Sequence, residues 1–177
     1  MESVKAIPGR YEVVPTNRNL TVIIDYTHTP DGFKNILETV QKSAKGRIVM
    51  IFGCVGERDH SKRRIMGQVA ARYSDLCILT TDNCRSENPK EILNEIEEGF
   101  SIATDYIEIL DRAKAIRYAI LNSKEDDTIL ITGKGNEQRQ IIGDQVLYFN
   151  EKEIIARALE ELSRRLHIPY QEERVWI

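Results

Sequence analysis

The chain lacks any apolar run approaching the roughly 18 residues needed to cross a bilayer, and its opening MESVKAIPGRYE has no signal-peptide apolar segment. Cysteine is scarce. Cys54, Cys77 and Cys84 are odd in number and show no CxxC spacing, which excludes a disulfide framework or a zinc knuckle and fits reduced thiols in the cytoplasm. Neither charge sign dominates: 25 basic and 28 acidic residues give a formal net charge of -3, interspersed along the chain. Binding to nucleic acid or a membrane surface through bulk charge is thereby excluded. There is also no G-x-G-x-x-G and no Walker A loop, so the chain carries no recognisable phosphate cradle of its own.

What is present reads as one soluble domain. Its 177 residues can bury a substantial core, and 41% apolar with 30% charged residues is an ordinary globular balance. Short β-branched runs stand at Thr21–Asp25, Arg47–Phe52, Leu76–Thr80, Tyr106–Ile109, Thr128–Thr132 and Gln145–Phe149. Several are almost continuously apolar, as strands covered on both faces should be. Amphipathic stripes fill the intervals: Phe33–Val40, Ile65–Tyr73, Ile92–Phe100, Ala113–Ile120 and Ile154–Leu166. Thr29-Pro30 and Asn88-Pro89 place a capping side chain before a proline, and Asp111 caps the fourth stripe. This alternation predicts an α/β fold: one Rossmann-like open sheet, mostly parallel, with about six strands and helices on both faces. The core spans about residues 7–160, and 161–177 reads as an extension whose tail is irregular beyond Leu166, docked through Trp176.

In such sheets ligands bind beyond the carboxyl ends of the strands. Four polar segments fall there: Asp25 to Asp31, Gly53 to Arg64, Thr80 to Glu87 and Gly133 to Gln140. Taken singly each is weak evidence. His28 reads more simply as a hydrogen-bonding partner than as a base, and Cys54 and Cys84 as spacers. Arg58, Lys62, Arg63 and Arg64 suit either an anion or a solvated helix face.

Read together in order, Gly9-Arg10-Tyr11-Glu12, Asp25-Tyr26-Thr27-His28-Thr29-Pro30-Asp31, Phe52 to Arg63, Asp82-Asn83-Cys84-Arg85-Ser86-Glu87 and Thr132-Gly133-Lys134-Gly135-Asn136-Glu137 resemble the C-terminal domain of the Mur ligases. The match is to the branch, MurE, that adds the third stem-peptide residue. The resemblance implies an ATP-dependent amide-forming ligase of cell-wall synthesis working through an acyl phosphate. Its substrates would be ATP, meso-diaminopimelate and a UDP-linked muramoyl dipeptide, with magnesium held mostly outside this domain. No catalytic residue is expected within this domain. It also implies that Arg10, Asp25, Tyr26 and His28 face ATP, while Arg58, Asp82, Asn83, Arg85, Gly133 and Glu137 hold the amino acid. Chemistry agrees: a guanidinium at Arg85 matches the distal carboxylate that lysine lacks, and Glu137 accepts from an ammonium.

Four departures from the family pattern stand at Val55-Gly56-Glu57, His60-Ser61, Cys84 and Asn136. Cys84 in place of proline is expected to loosen the backbone next to Arg85. The UDP-binding and central ATPase domains of the family lie outside these residues, so the chain is expected to be one domain of a longer ligase, its partner the remaining domains, and inactive alone. Two other readings remain: a stand-alone amino-acid or nucleotide binding module, and a related amide ligase using another amino acid.

Overall fold

The structure, a computed structural model, describes residues 7–166. Trp176 and the tail beyond Leu166 lie outside the described residues. A six-stranded sheet runs in the order β1-β2-β6-β3-β4-β5. Its members are β1 (Glu12–Val14), β2 (Thr21–Asp25), β3 (Ile48–Phe52), β4 (Leu76–Leu79), β5 (Tyr106–Glu108) and β6 (Thr128–Thr132). All pair in parallel except β1, which runs antiparallel to β2 along one edge.

Helices α1 (Pro30–Ser43), α2 (Ser61–Tyr73) and α3 (Pro89–Glu97) cover one face, and α4 (Arg112–Leu121) and α5 (Glu151–Arg165) the other. Each face has its own core. Phe33, Leu37, Met66 and Ile92 pack against Met50 and Leu130 on the first. Ile116, Ile120, Ile155 and Leu159 pack against Val49 and Ile131 on the second. Strands β3 and β6 are buried at every position, which is why β3 is apolar throughout and β6 is apolar between its two end threonines. The helix starts are chemically set. The Thr29 hydroxyl accepts from Gly32 N–H, Asn88 from Lys90 and Asp111 from Lys114, each satisfying an otherwise orphaned first-turn donor.

Several expectations change. The sixth strand of the sheet is β1, not Gln145–Phe149. The segment Gln145–Tyr148 is β8, which forms a separate hairpin with β7 (Arg139–Ile142), a strand the polar-loop reading had absorbed. In α2, Ile65 is 46% exposed whereas Arg63 is wholly buried, so the apolar stripe there is partly on the wrong residues. Leu166, assigned to the last stripe, is exposed as well. Arg63 is buried because two carboxylates meet it, Glu87 at 2.8 Å and Glu95 at 2.9 Å, and the trio ties α2 to α3 and to the loop after β4. It is neither an anion site nor part of a solvated face.

Candidate functional site

Strand order decides where the site lies. β6 sits between β2 and β3. The chain leaves β2 and β3 toward α1 and α2, but leaves β6 toward α5 on the opposite face. Connections that diverge on either side of one strand open a crevice at the carboxyl ends. An open cleft of about 330 Å³ lies there, lined by Tyr26 and His28 after β2, by Val55, Arg58 and Lys62 after β3, by Asp82, Asn83 and Arg85 after β4, and by Gly133 and Glu137 after β6. All six residues expected to hold the amino acid line it, together with two of the four expected to face ATP.

The polar floor is a single network. Asn83 Nδ2 donates to Glu137 Oε2 at 3.1 Å, and Asp82 Oδ1 accepts from the Asn83 N–H at 2.7 Å. Lys134, wholly buried, donates to Asn83 Oδ1 and to the Arg139 carbonyl, both at 2.8 Å, with the carboxylates of Asp82 and Glu137 at 3.4 and 3.5 Å. Gln140 Nε2 donates to the Thr81 hydroxyl and the Asp82 carbonyl. Gly133 is obligatory: it has φ +115, and a Cβ there would stand 2.4 Å from Asp82 Oδ2.

Arg85 occupies the left-handed region at φ +53, unusual for arginine. Its conformation is held by the hairpin: Arg85 N–H donates to the Ile141 carbonyl at 3.2 Å, and Gly143 N–H donates to the Arg85 carbonyl at 2.7 Å. The turn is thus tied by hairpin bonds where the family pattern has a proline, and the Cys84 side chain is buried beside it. The guanidinium is about one-third exposed and lies 3.5 Å from Glu57, so it is neither buried nor uncompensated without a ligand. Its Nε, by contrast, is buried with no acceptor. The Ser86 hydroxyl above all, then the Ser86 N–H and Arg85, hold the Glu57 carboxyl below its ordinary range.

Arg10 and Asp25 do not line the cleft. Asp25 is buried, and its two oxygens accept from the Tyr11 and Thr27 N–H groups at 2.7 Å each, fastening the 9–12 turn to the end of β2. Glu12 accepts from Gly9 N–H, and Gly9 and Gly135 pack backbone to backbone; a Cβ on Gly9 would meet Asn136 N at 2.4 Å. That turn carries Arg10 over the Tyr26 ring, 5.1 Å from its centroid, and Tyr26 in turn meets His28 edge-on at 5.2 Å. His28 Nδ1 bonds the Tyr26 carbonyl and its own carbonyl accepts from Lys62, so it shapes the rim.

Burial pushes the Cys54 and Cys77 thiols up to about 12 and Cys84 up to about 11, so all three are neutral spacers and none is a nucleophile at physiological pH. Beneath the cleft, Arg112 and Glu151 form a buried pair. Arg112 also donates to the Thr81 and Thr132 carbonyls, joining the ends of β4 and β6. Burial raises the Glu151 carboxyl, opposed by Arg112. Sequence reasoning missed Lys134, Arg112 and Glu151 as a support, because a lone charged letter does not show its burial. Among the described residues no cluster of three metal-ligating acids, histidines or cysteines stands together.

A family profile described as "Mur ligase, glutamate ligase domain" matches residues 9–135. The chain belongs to the Mur ligase family. It is 52% identical over 156 residues to a UDP-N-acetylmuramoyl-L-alanyl-D-glutamate–2,6-diaminopimelate ligase of Caldanaerobacter subterraneus, covering 88% of this chain and 32% of that protein. It is 46% identical over 162 residues to the ligase of the same name from Geobacillus thermodenitrificans, covering 91% and 33%. A solved structure of such a diaminopimelate ligase superposes with TM-score 0.83 at 31% identity, over 89% of this chain and 32% of the other. A folylpolyglutamate synthase of Yersinia pestis shares the fold at TM-score 0.58 and 13% identity. This Mur ligase domain thus spans about a third of the length of the relatives it matches.

Proposed function

We propose that this domain holds meso-diaminopimelate, and closes over ATP, in a ligase that joins the amino acid to the D-glutamyl carboxylate of a UDP-linked muramoyl dipeptide. The observation that carries the reading is the two-signed cleft. Arg58, Lys62 and Arg85 bring positive groups from the loops after β3 and β4, while Asp82 and Glu137 bring negative ones from the loops after β4 and β6. A doubly zwitterionic amino acid presents two carboxylates and two ammonium groups, and the cleft offers partners for both signs. The Arg85 side chain is about one-third exposed where it lines the cleft, and a bidentate carboxylate suits the geometry that a guanidinium favours. Lysine offers no such second carboxylate.

In the proposed reaction ATP supplies the phosphoryl group that converts the dipeptide carboxylate to an acyl phosphate. The amino nitrogen then forms the amide bond, the C–O bond to phosphate breaks, and the amine proton is released. This domain's share is positioning: Arg85 and Asn83 orient the amino acid, Asp82 and Glu137 hold an ammonium, and Arg10, Tyr26 and His28 form the rim on which nucleotide would rest. Holding reactants in register supplies a large part of such a rate enhancement. Asp25 acts through the Gly9–Glu12 turn that it anchors. Turnover is expected only with the remaining two-thirds of the ligase, in the cytoplasm where these substrates are made.

The experiment is a calorimetric titration of the chain with meso-diaminopimelate and with L-lysine, repeated on Arg85→Ala. Binding of diaminopimelate in preference to lysine, with the preference lost in the variant, supports the reading. Equal binding of both by the unsubstituted chain overturns it.

A further inference from the structure

The least expected residue in the site is Lys134. Its side chain is wholly buried, yet it sits between two small, φ-positive glycines and beneath a cleft already furnished with cations. A buried ammonium is stable only where acceptors meet it, and this one has four within reach: Asn83 Oδ1, the Arg139 carbonyl, Asp82 and Glu137. Lysine carries three donors and no acceptor. Whatever part of the Asn83 amide faces Lys134 must therefore be the oxygen.

A second donor makes the same demand. The Ile141 N–H of the hairpin donates to Asn83 Oδ1 at 3.0 Å. Turning the amide over would set its NH2 against an ammonium and a backbone N–H, donors with no acceptor between them, and would take from Glu137 the hydrogen bond at 3.1 Å. Only one orientation satisfies all partners. In it Oδ1 is used up below, and Nδ2 has one hydrogen on Glu137 and one left over.

We infer that Lys134 is a positioning residue that, with the Ile141 N–H, locks Asn83 as a donor-only group and so dedicates it to a ligand carboxylate or carbonyl. The inference deepens the proposed function and rests on it for the identity of the ligand. An asparagine free to flip serves a carboxylate or an ammonium equally and discriminates neither. A locked one rejects an ammonium, because its only free atom is a hydrogen. The hairpin thereby has a role beyond covering a sheet end: through Ile141 it fixes the amide of Asn83 by a side-chain bond and the turn at Arg85 by backbone bonds. Lys134 also offsets one of the two nearby carboxylates, leaving Asp82 and Glu137 with a net charge suited to a single ammonium.

The test has a ligand-free arm and a ligand arm. In the isotope-labelled, unsubstituted chain, nuclear magnetic resonance should show the Lys134 ammonium protons protected from water. They should be coupled across the hydrogen bond to the Asn83 side-chain carbonyl carbon. Lys134→Met, which keeps the length and removes the donors, should let the Asn83 amide hydrogens exchange faster and weaken diaminopimelate binding by about tenfold or more. Rapid exchange of the Lys134 ammonium and no coupling in the unsubstituted chain overturn the inference, and that arm needs no variant to fold. So does a folded Lys134→Met whose Asn83 amide is unchanged. Failure of the unsubstituted chain to bind diaminopimelate would instead strike the proposed ligand and leave the lock standing or falling on the ligand-free arm.

Discussion

The two ends of the one sheet solve opposite problems with the same residue types. At the amino ends of the strands Asp127 accepts from Arg47 at 2.6 and 3.1 Å and from the Lys124 N–H at 2.8 Å, while Asp75 accepts from Ile48 N–H. Both carboxylates there close on neighbours, while one buried nitrogen of Arg18 has no partner. At the carboxyl ends Lys134, Asp82, Asn83, Glu137 and Arg112 are also buried or half-buried and bonded, and one hydrogen of Asn83 Nδ2 remains over beside the cleft. The amino end is closed by separate pairs, whereas the carboxyl end joins the loops after β4 and β6 and the hairpin into one network under a cleft. A count of charged residues would not tell them apart.

Four predictions bear on that contrast. Arg112→Met should have the largest effect, because it leaves Glu151 uncompensated in the core and frees the Thr81 and Thr132 carbonyls. A loss of about 3–5 kcal/mol in denaturant unfolding is expected, together with weaker ligand binding. At the opposite end Asp127→Asn should cost about 1.5–3 kcal/mol through its charge-assisted bonds, yet leave ligand affinity unchanged in the same titration. An affinity change there would erase the distinction between the ends. Gly133→Ala should cost about 1–3 kcal/mol from its φ of +115, while its Cβ displaces Asp82 and lowers affinity out of proportion to stability. Smallest of all, Ile65→Ala should change stability by less than about 0.5 kcal/mol, where Met66→Ala beside it should cost about 2–5 kcal/mol.

The thiols add a pH test with a definite sign. Their folded values are raised from the ordinary 9.0 to about 11 or 12, so their contribution to stability is fully present below 9.0 and fades as pH climbs toward the folded values. At about pH 8 an alkylating reagent should leave all three unlabelled in the folded chain and modify all three after denaturation.

Much of this was legible in the letters. Continuous apolar runs gave away β2, β3, β4 and β6, and Thr29-Pro30, Asn88-Pro89 and Asp111 announced their helices, since capping and proline act over three or four residues. The order of the polar segments located the cleft. The edge strand β1 was not legible, because three residues of alternating exposure ahead of a proline carry almost no periodicity. The hairpin does carry a local signal: Gly143-Asp144 between Arg139–Ile142 and Gln145–Tyr148 is a two-residue turn, with Gly143 at φ +57. The burial of Arg63 was beyond reach, because its partners Glu87 and Glu95 lie 24 and 32 residues away.

By itself the sequence determined the elements, their alternation and the residue types available at the strand ends, because propensity, capping and hydrophobic period are local. Only the tertiary structure decided which of those polar residues became support and which became site. That choice depends on burial and on partners brought together from distant segments. Lys134 shows it most plainly: one letter in a glycine-flanked loop, whose work is set by an amide 51 residues earlier and a hairpin that follows it.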